Sequence, residues 1–146
     1  EEARLTAIAS IKPGATITDV HDAASRVLAQ GLLDLGVLRG DKDSVLYEGS
    51  YRDFFPHQTS HWLGLDVHDP GDYGRDGSGR ILEPGMVFTI EPGLYFRLGQ
   101  CGNNTDRWAG IGVRIEDDVV VTAEGVEVLT GVLPTSVDEV EEAVGR

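Results

Sequence analysis

The spacing of apolar positions changes along this chain, and the change separates helical from strand territory. From Glu1 to Ile11 the run EEARLTAIASI sets Leu5, Ile8 and Ala9 at helical spacing, predicting an opening helix broken by Lys12-Pro13-Gly14. A second helix follows. Thr18 is placed to cap it, Asp19 sits in its first turn, and Val20, Ala23, Ala24, Val27 and Leu28 form one apolar stripe that stops at Gly36. His21 and Asp22 fall off that stripe and read as a solvated face. Arg39 to Pro56 reads as a mostly polar connector.

Beyond Pro56 the period shortens. An extended His57–His61 would put His57, Thr59 and His61 on one face. Asp69 to Arg80, DPGDYGRDGSGR, is turn-rich and predicts a loop. Met86 to Ile90 reads as a strand halted by Glu91-Pro92-Gly93, with Leu94-Tyr95-Phe96 resuming beyond. Arg97 to Ala109 is a polar loop holding Cys101 and Asn103-Asn104. Ile111, Val113 and Ile115 then alternate with Gly112, Arg114 and Glu116 as a strand with two different faces, and Asp117-Asp118 is expected to turn into Val119–Thr122. The tail predicts a helix opened by a capping box, Ser136 with Glu139, and carrying Val137, Val140 and Val144 inward. No repeat, low-complexity stretch or linker divides the chain, so one α+β domain is expected over residues 1–146.

Composition narrows the partners. The 146 residues, 40% hydrophobic, suffice for a real core. A net charge of −13 argues against nucleic acid or an anionic membrane, whose phosphates would be repelled. No apolar run approaches the ~20 residues of a membrane span. Cys101 is the single cysteine and cannot close an internal disulfide, which favours a reducing, cytoplasmic setting. The chain opens on Glu1 and its one methionine is Met86, so a preceding segment is expected to have been removed.

The chemistry concentrates between His57 and Asp69, in HQTSHWLGLDVHD, where three of the four histidines fall. Imidazole binds first-row metals and exchanges protons near neutral pH. Taken alone, the segment also fits a histidine-containing strand in an ordinary core. Glu91 ends a strand that should be buried, where a carboxylate needs a partner or a metal; an exposed turn glutamate is the alternative. Glu116 ends its strand likewise, with pairing to Arg114 as its plainer reading. One histidine with two such carboxylates makes a ligand set for Mn²⁺, Co²⁺ or Zn²⁺.

Three segments in order, HQTSHWLGLDVHD, LEPGMVFTIEPGLYF (Leu82 to Phe96) and GVRIEDDVVVT (Gly112 to Thr122), resemble the C-terminal part of a Xaa-Pro aminopeptidase. That family shares the pita-bread fold of prolidase, methionine aminopeptidase and creatinase: a curved antiparallel sheet with helices on its outer face. The resemblance implies two divalent ions, usually manganese with zinc or cobalt possible, held by two aspartates, a histidine and two glutamates. On this chain the histidine would be His61 and the glutamates Glu91 and Glu116, with Glu91 also the proton-transfer group. His57 and His68 would line the substrate site, His68 bonding the substrate or the developing oxyanion. Tyr95 and Arg114 would form hydrogen bonds near the metals.

The resemblance further implies a peptide substrate with proline second and a homo-oligomer when complete. The two aspartates belong to a D-x-G … D-x-T-R pattern that these residues do not contain, so the chain alone is expected to be incomplete and inactive, with an upstream fragment supplying them. Gln58 stands where the family often has glycine. Prolidase is the nearest rival. A metal-free creatinase-like hydrolase and a non-catalytic peptide-binding module are the more distant ones.

Overall fold

The computed structural model describes residues 1–75, 77–99 and 106–145. Cys101 and Asn103-Asn104, placed in a loop above, lie outside the described residues.

Helix α1 spans Glu2–Ser10 and packs along α2, Ile17–Asp34. The face of α1 that is buried is Ala3, Arg4 and Ala7, whereas Leu5 is half exposed. Ala3 and Ala7 are small enough to let the two helices approach, and Arg4 is buried through its ion pair with Asp117. The cap of α2 is Thr16, two residues before the expected Thr18. Thr16 Oγ1 accepts from Asp19 N at 3.1 Å and Asp19 Oδ2 accepts from Thr16 N at 2.7 Å, a reciprocal box that needs an acidic residue three positions on. Thr18 has none. Val20 and Ala24 are buried as expected, and Ile17, Ser25, Ala29 and Leu32 join them.

The connector expected over Arg39–Pro56 is ordered instead. It holds α3, Lys42–Glu48, capped by Asp41, then a 3₁₀ turn at Ser50–Asp53. Tyr51, Phe54 and Phe55 from this stretch are buried with Ala29, Leu32, Val45 and Phe96 in one core cluster. Polar neighbours masked these three rings. A second cluster joins α1 and α2 to the strands through Ala7, Val20, Ala24, Phe88, Ile90, Val119 and Val121, so α2 contributes to both.

Inside the expected Asp69–Arg80 loop lies a two-stranded hairpin, β1 (Gly74–Arg75) with β2 (Ser78–Gly79). The larger sheet runs β3 (Val87–Ile90), β6 (Asp117–Val121), β7 (Val126–Val128), antiparallel throughout; β4 (Gly93–Tyr95) pairs with β5 (Gly112–Arg114). Asp117 and Asp118 are therefore strand residues facing Ile90 and Thr89, not a turn. Arg4 and the Thr130 hydroxyl both bond the Asp117 carboxylate, which makes its burial tolerable in a strand. β5 is exposed along its length rather than two-faced.

Helix α4, Val137–Val144, opens with the expected Ser136–Glu139 capping box. Its valines do not face inward: Val137, Val140 and Val144 are 73%, 42% and 69% exposed. The cap specifies the helix but supplies nothing to bury it against.

Candidate metal centre

The two carboxylates meet at a break in a single pairing register. Ile90 faces Asp117 at the end of one ladder, and Gly93 faces Arg114 at the start of the other. Counting on from either side sets Glu91 opposite Glu116 and Pro92 opposite Ile115. Pro92 has no N–H to donate, so the ladder stops there and the side chains at the break are freed from ordinary sheet packing. Like charges directly opposite one another destabilise a sheet unless something neutralises them. Glu116 is exposed where Glu91 is buried, and partial desolvation of its carboxyl, then the Glu91 charge, raises its pKa above the ordinary glutamate value.

The histidine segment closes the third side. The Thr59 and His61 carbonyls accept from Glu91 N at 2.8 Å and Thr89 N at 3.0 Å, and Leu63 N donates to the Val87 carbonyl at 3.1 Å. This lays residues 59–63 along the free edge of β3, extended as expected. His61 Nε2 lies 3.2 Å from Glu91 Oε1, and one ligand atom from each of His61, Glu91 and Glu116 lies within 4.8 Å of the others. Thr89 adds support by accepting from His61 N at 3.0 Å and donating to Glu91 Oε1 at 3.1 Å.

His57 and His61 share one local device. Each Nδ1 contacts the carbonyl of the next residue, Gln58 O at 2.7 Å and Trp62 O at 3.0 Å. A carbonyl only accepts, so it holds the proton on Nδ1 and leaves Nε2 of the neutral ring bare. For His61 that bare nitrogen faces a carboxylate oxygen, an arrangement that calls for a proton or a cation between them. For His57, the Tyr95 hydroxyl lies 2.9 Å from Nε2 and accepts in turn from Arg114 Nε at 2.6 Å. Arg114 also pairs with Glu91 Oε2 at 2.8 Å. Gly93 makes room for this chain, since a Cβ there would come within 2.7 Å of the Tyr95 hydroxyl oxygen. His68 is exposed and meets His61 edge-on, ring centroids 4.4 Å apart.

All seven site residues expected from the sequence thus fall around the one break between these two ladders. The common face expected for His57, Thr59 and His61 fails at its middle. Thr59 is fully buried, and its hydroxyl lies 3.0 Å from His21 Nδ1 on α2. His21 is accordingly no solvated residue. It packs on Phe55, contacts Ser25 Oγ through Nε2, and burial leads the causes that lower its pKa. Ile17, His21 and Ser25 at four-residue spacing flank the apolar stripe, and that spacing was the signal for it. Thr89 was overlooked as well, although its period-two relation to Glu91 puts both on one face.

A model of metallopeptidase family M24 matches residues 1–123. This chain belongs to metallopeptidase family M24. Among similar M24 proteins, the Xaa-Pro aminopeptidase of Escherichia coli K12 is 46% identical over 136 residues, covering 93% of this chain and 30% of the relative. Xaa-Pro aminopeptidase 1 of Streptomyces coelicolor is 46% identical over 145 residues, covering 97% and 29%. Of solved structures, Pseudomonas aeruginosa aminopeptidase PepP superposes with a TM-score of 0.89 at 48% identity over 97% of this chain and 32% of that one. Aminopeptidase P from E. coli with the inhibitor Pro-Leu gives 0.89 at 45%, over 97% and 31%. The fold is therefore the α+β pita-bread fold of M24, and the chain spans about a third of the length of the relatives it matches. Among the described residues no helix is long and apolar enough to cross a membrane.

Proposed function

We propose that this chain is the C-terminal portion of the catalytic domain of a Xaa-Pro aminopeptidase that removes an N-terminal residue preceding proline. The observation that carries this reading is the convergence of His61, Glu91 and Glu116 within 4.8 Å at the break in the sheet. The donors fit a divalent ion: a bare imidazole nitrogen beside a carboxylate, and two carboxylates whose repulsion a cation relieves. Two ions would be held, manganese by preference with zinc or cobalt possible, and two aspartates from upstream sequence would complete the ligand set. When bound, the ions supply an acidified water and polarise the scissile carbonyl.

The residues of this chain then divide the remaining work. His61, Glu91 and Glu116 would hold the ions. Glu91 also accepts and returns the proton at Oε1 or Oε2, and its position is fixed on one side by Arg114 and on the other by Thr89. Tyr95 and His57 keep the Arg114 guanidinium in place. His57 and His68 line the space a peptide would enter, with His68 free to turn towards its carbonyl. The acidic surface and single cysteine support a cytoplasmic, peptide-directed role, and a homo-oligomer of the complete protein is part of the same reading.

Hydrolysis of an Xaa-Pro dipeptide and an Xaa-Pro tripeptide tests it, with and without added Mn²⁺, using the chain alone and the chain joined to its upstream part. Cleavage of the tripeptide is expected only with the upstream part and Mn²⁺. Cleavage by the isolated chain would overturn the incomplete-site reading, dipeptide cleavage alone would make the enzyme a prolidase, and undiminished activity in metal-stripped protein would point to a creatinase-like mechanism.

A further inference from the structure

Arg4 lies on α1, 113 positions from its ion-pair partner Asp117, and the proposed chemistry does not use it. Both groups are buried, at 7% and 1% exposure. The Asp117 oxygens are used separately: Oδ2 accepts from Arg4 Nη1, and Oδ1 accepts from the Thr130 hydroxyl at 2.5 Å. Thr130 Oγ1 in turn accepts from Asp118 N at 3.0 Å. Arg4 is itself steadied by Glu1 Oε1 at 2.6 Å and Thr135 Oγ1 at 3.3 Å.

The position of this knot is what gives it meaning. Asp117 directly follows Glu116 and faces Ile90, which directly precedes Glu91. It therefore sits at the last paired rung before the two carboxylates. A buried ion pair is a weak source of stability, because apolar residues of similar volume often do as well. What it adds over apolar contact is direction. Val119 and Val121 would fill the core at several small displacements along the strand, while a carboxylate gripped at both oxygens fits at one.

Resting on the metallopeptidase reading above, we propose that Arg4 is a positioning residue for the metal centre, fixing through Asp117 the rung that sets Glu91 against Glu116. Co²⁺ serves as the probe, titrated into the chain joined to its upstream part and followed by its visible absorption, which reports ligand geometry directly. Arg4→Lys keeps the charge but not the planar fork. Thr130→Val removes one hydrogen bond and leaves the ion pair, so it tests the idea even where an Arg4 variant does not fold. Both are expected to weaken Co²⁺ binding ~10- to 100-fold, the scale seen for residues that orient metal ligands, and to shift the absorption band. Val45→Ala, in the other core cluster, is the control: it should lower stability and leave affinity and spectrum unchanged.

Folded Arg4→Lys and Thr130→Val proteins with parental affinity and spectrum would overturn the proposal. So would an equal loss of affinity in Val45→Ala, which would reduce the effect to general stability. A parental protein that binds no Co²⁺ would overturn the metal reading itself, and this inference with it.

Discussion

The two ladders on either side of the Glu91–Glu116 break share a register and almost nothing else. In β3 and β6, Phe88, Ile90, Val119 and Val121 are at most 1% exposed and pack into the cluster under α1 and α2. In β5, across from β4, Gly112, Val113 and Arg114 are all exposed. The buried ladder supplies fixed position; the exposed one supplies groups with reach, Tyr95 and Arg114, held by hydrogen bonds to each other and to His57 rather than by packing. A site for a soluble substrate needs both, because a wholly buried break would admit nothing and a wholly exposed one would hold no geometry.

Substitutions on the two sides should therefore separate stability from chemistry. The largest effect is expected for Ile90→Ala, which should lower the unfolding free energy by about 2–5 kcal/mol in denaturant titration, while Val113→Ala changes it by no more than about 0.5 kcal/mol. Equal losses would erase the contrast. Next comes Arg114→Met. Turnover of an Xaa-Pro peptide by the complete enzyme should fall ~10- to 100-fold in kcat/KM as Glu91 loses its orienting partner. Stability should move by less than about 1 kcal/mol, since the Arg114 side chain is 43% exposed and its ion pair is screened by solvent. A collapse in stability with unchanged turnover per folded molecule would reverse the assignment of roles. Tyr95→Phe removes one hydroxyl from the same chain and should cost about 1 kcal/mol of transition-state stabilisation, visible in kcat/KM and absent from the melting temperature.

The smallest effect concerns pH. Burial, aided by the nearby Arg52 charge against the opposing Asp22, depresses the His21 pKa. The unfolded chain then binds the proton more readily than the folded one. The stability this contributes is whole above the ordinary histidine value of about 6.5 and is lost as pH falls towards the depressed folded-state value. Replacing His21 with Gln should flatten that part of the stability–pH curve. An unaltered slope would show that the buried side of the site does not sense pH through this residue.

How far the sequence revealed this arrangement depended on whether local pattern and tertiary partner agreed. The Glu91-Pro92-Gly93 interruption was legible because proline's missing donor acts wherever it stands. Both capping boxes are local devices as well, yet only α2 is buried; the valines of α4 form an equally good stripe with nothing described against it. His21 was misread for the converse reason. Its neighbour in sequence, Asp22, is exposed, and only the fold brings Thr59 and Phe55 against the ring. Tyr51, Phe54 and Phe55 were hidden by the polar residues around them. The positions of His57, His61, His68, Tyr95 and Arg114 around the break followed from a family resemblance, since no periodicity relates residues so far apart in the chain.

The shared register also bears on which lengths of sequence can change. The pairing of β4 with β5 closes at Phe96, whose N–H donates to the Ile111 carbonyl at 2.8 Å, so residues gained or lost between Phe96 and Ile111 leave every rung in step. One residue inserted between Val87 and Tyr95, or between Gly112 and Val121, would turn a carboxylate to the opposite face of the sheet. Sequence drift in this protein should accordingly write its insertions into the connection and none into the strands, and the spacing from Glu91 to Tyr95 behaves as a measured interval rather than a tolerated one.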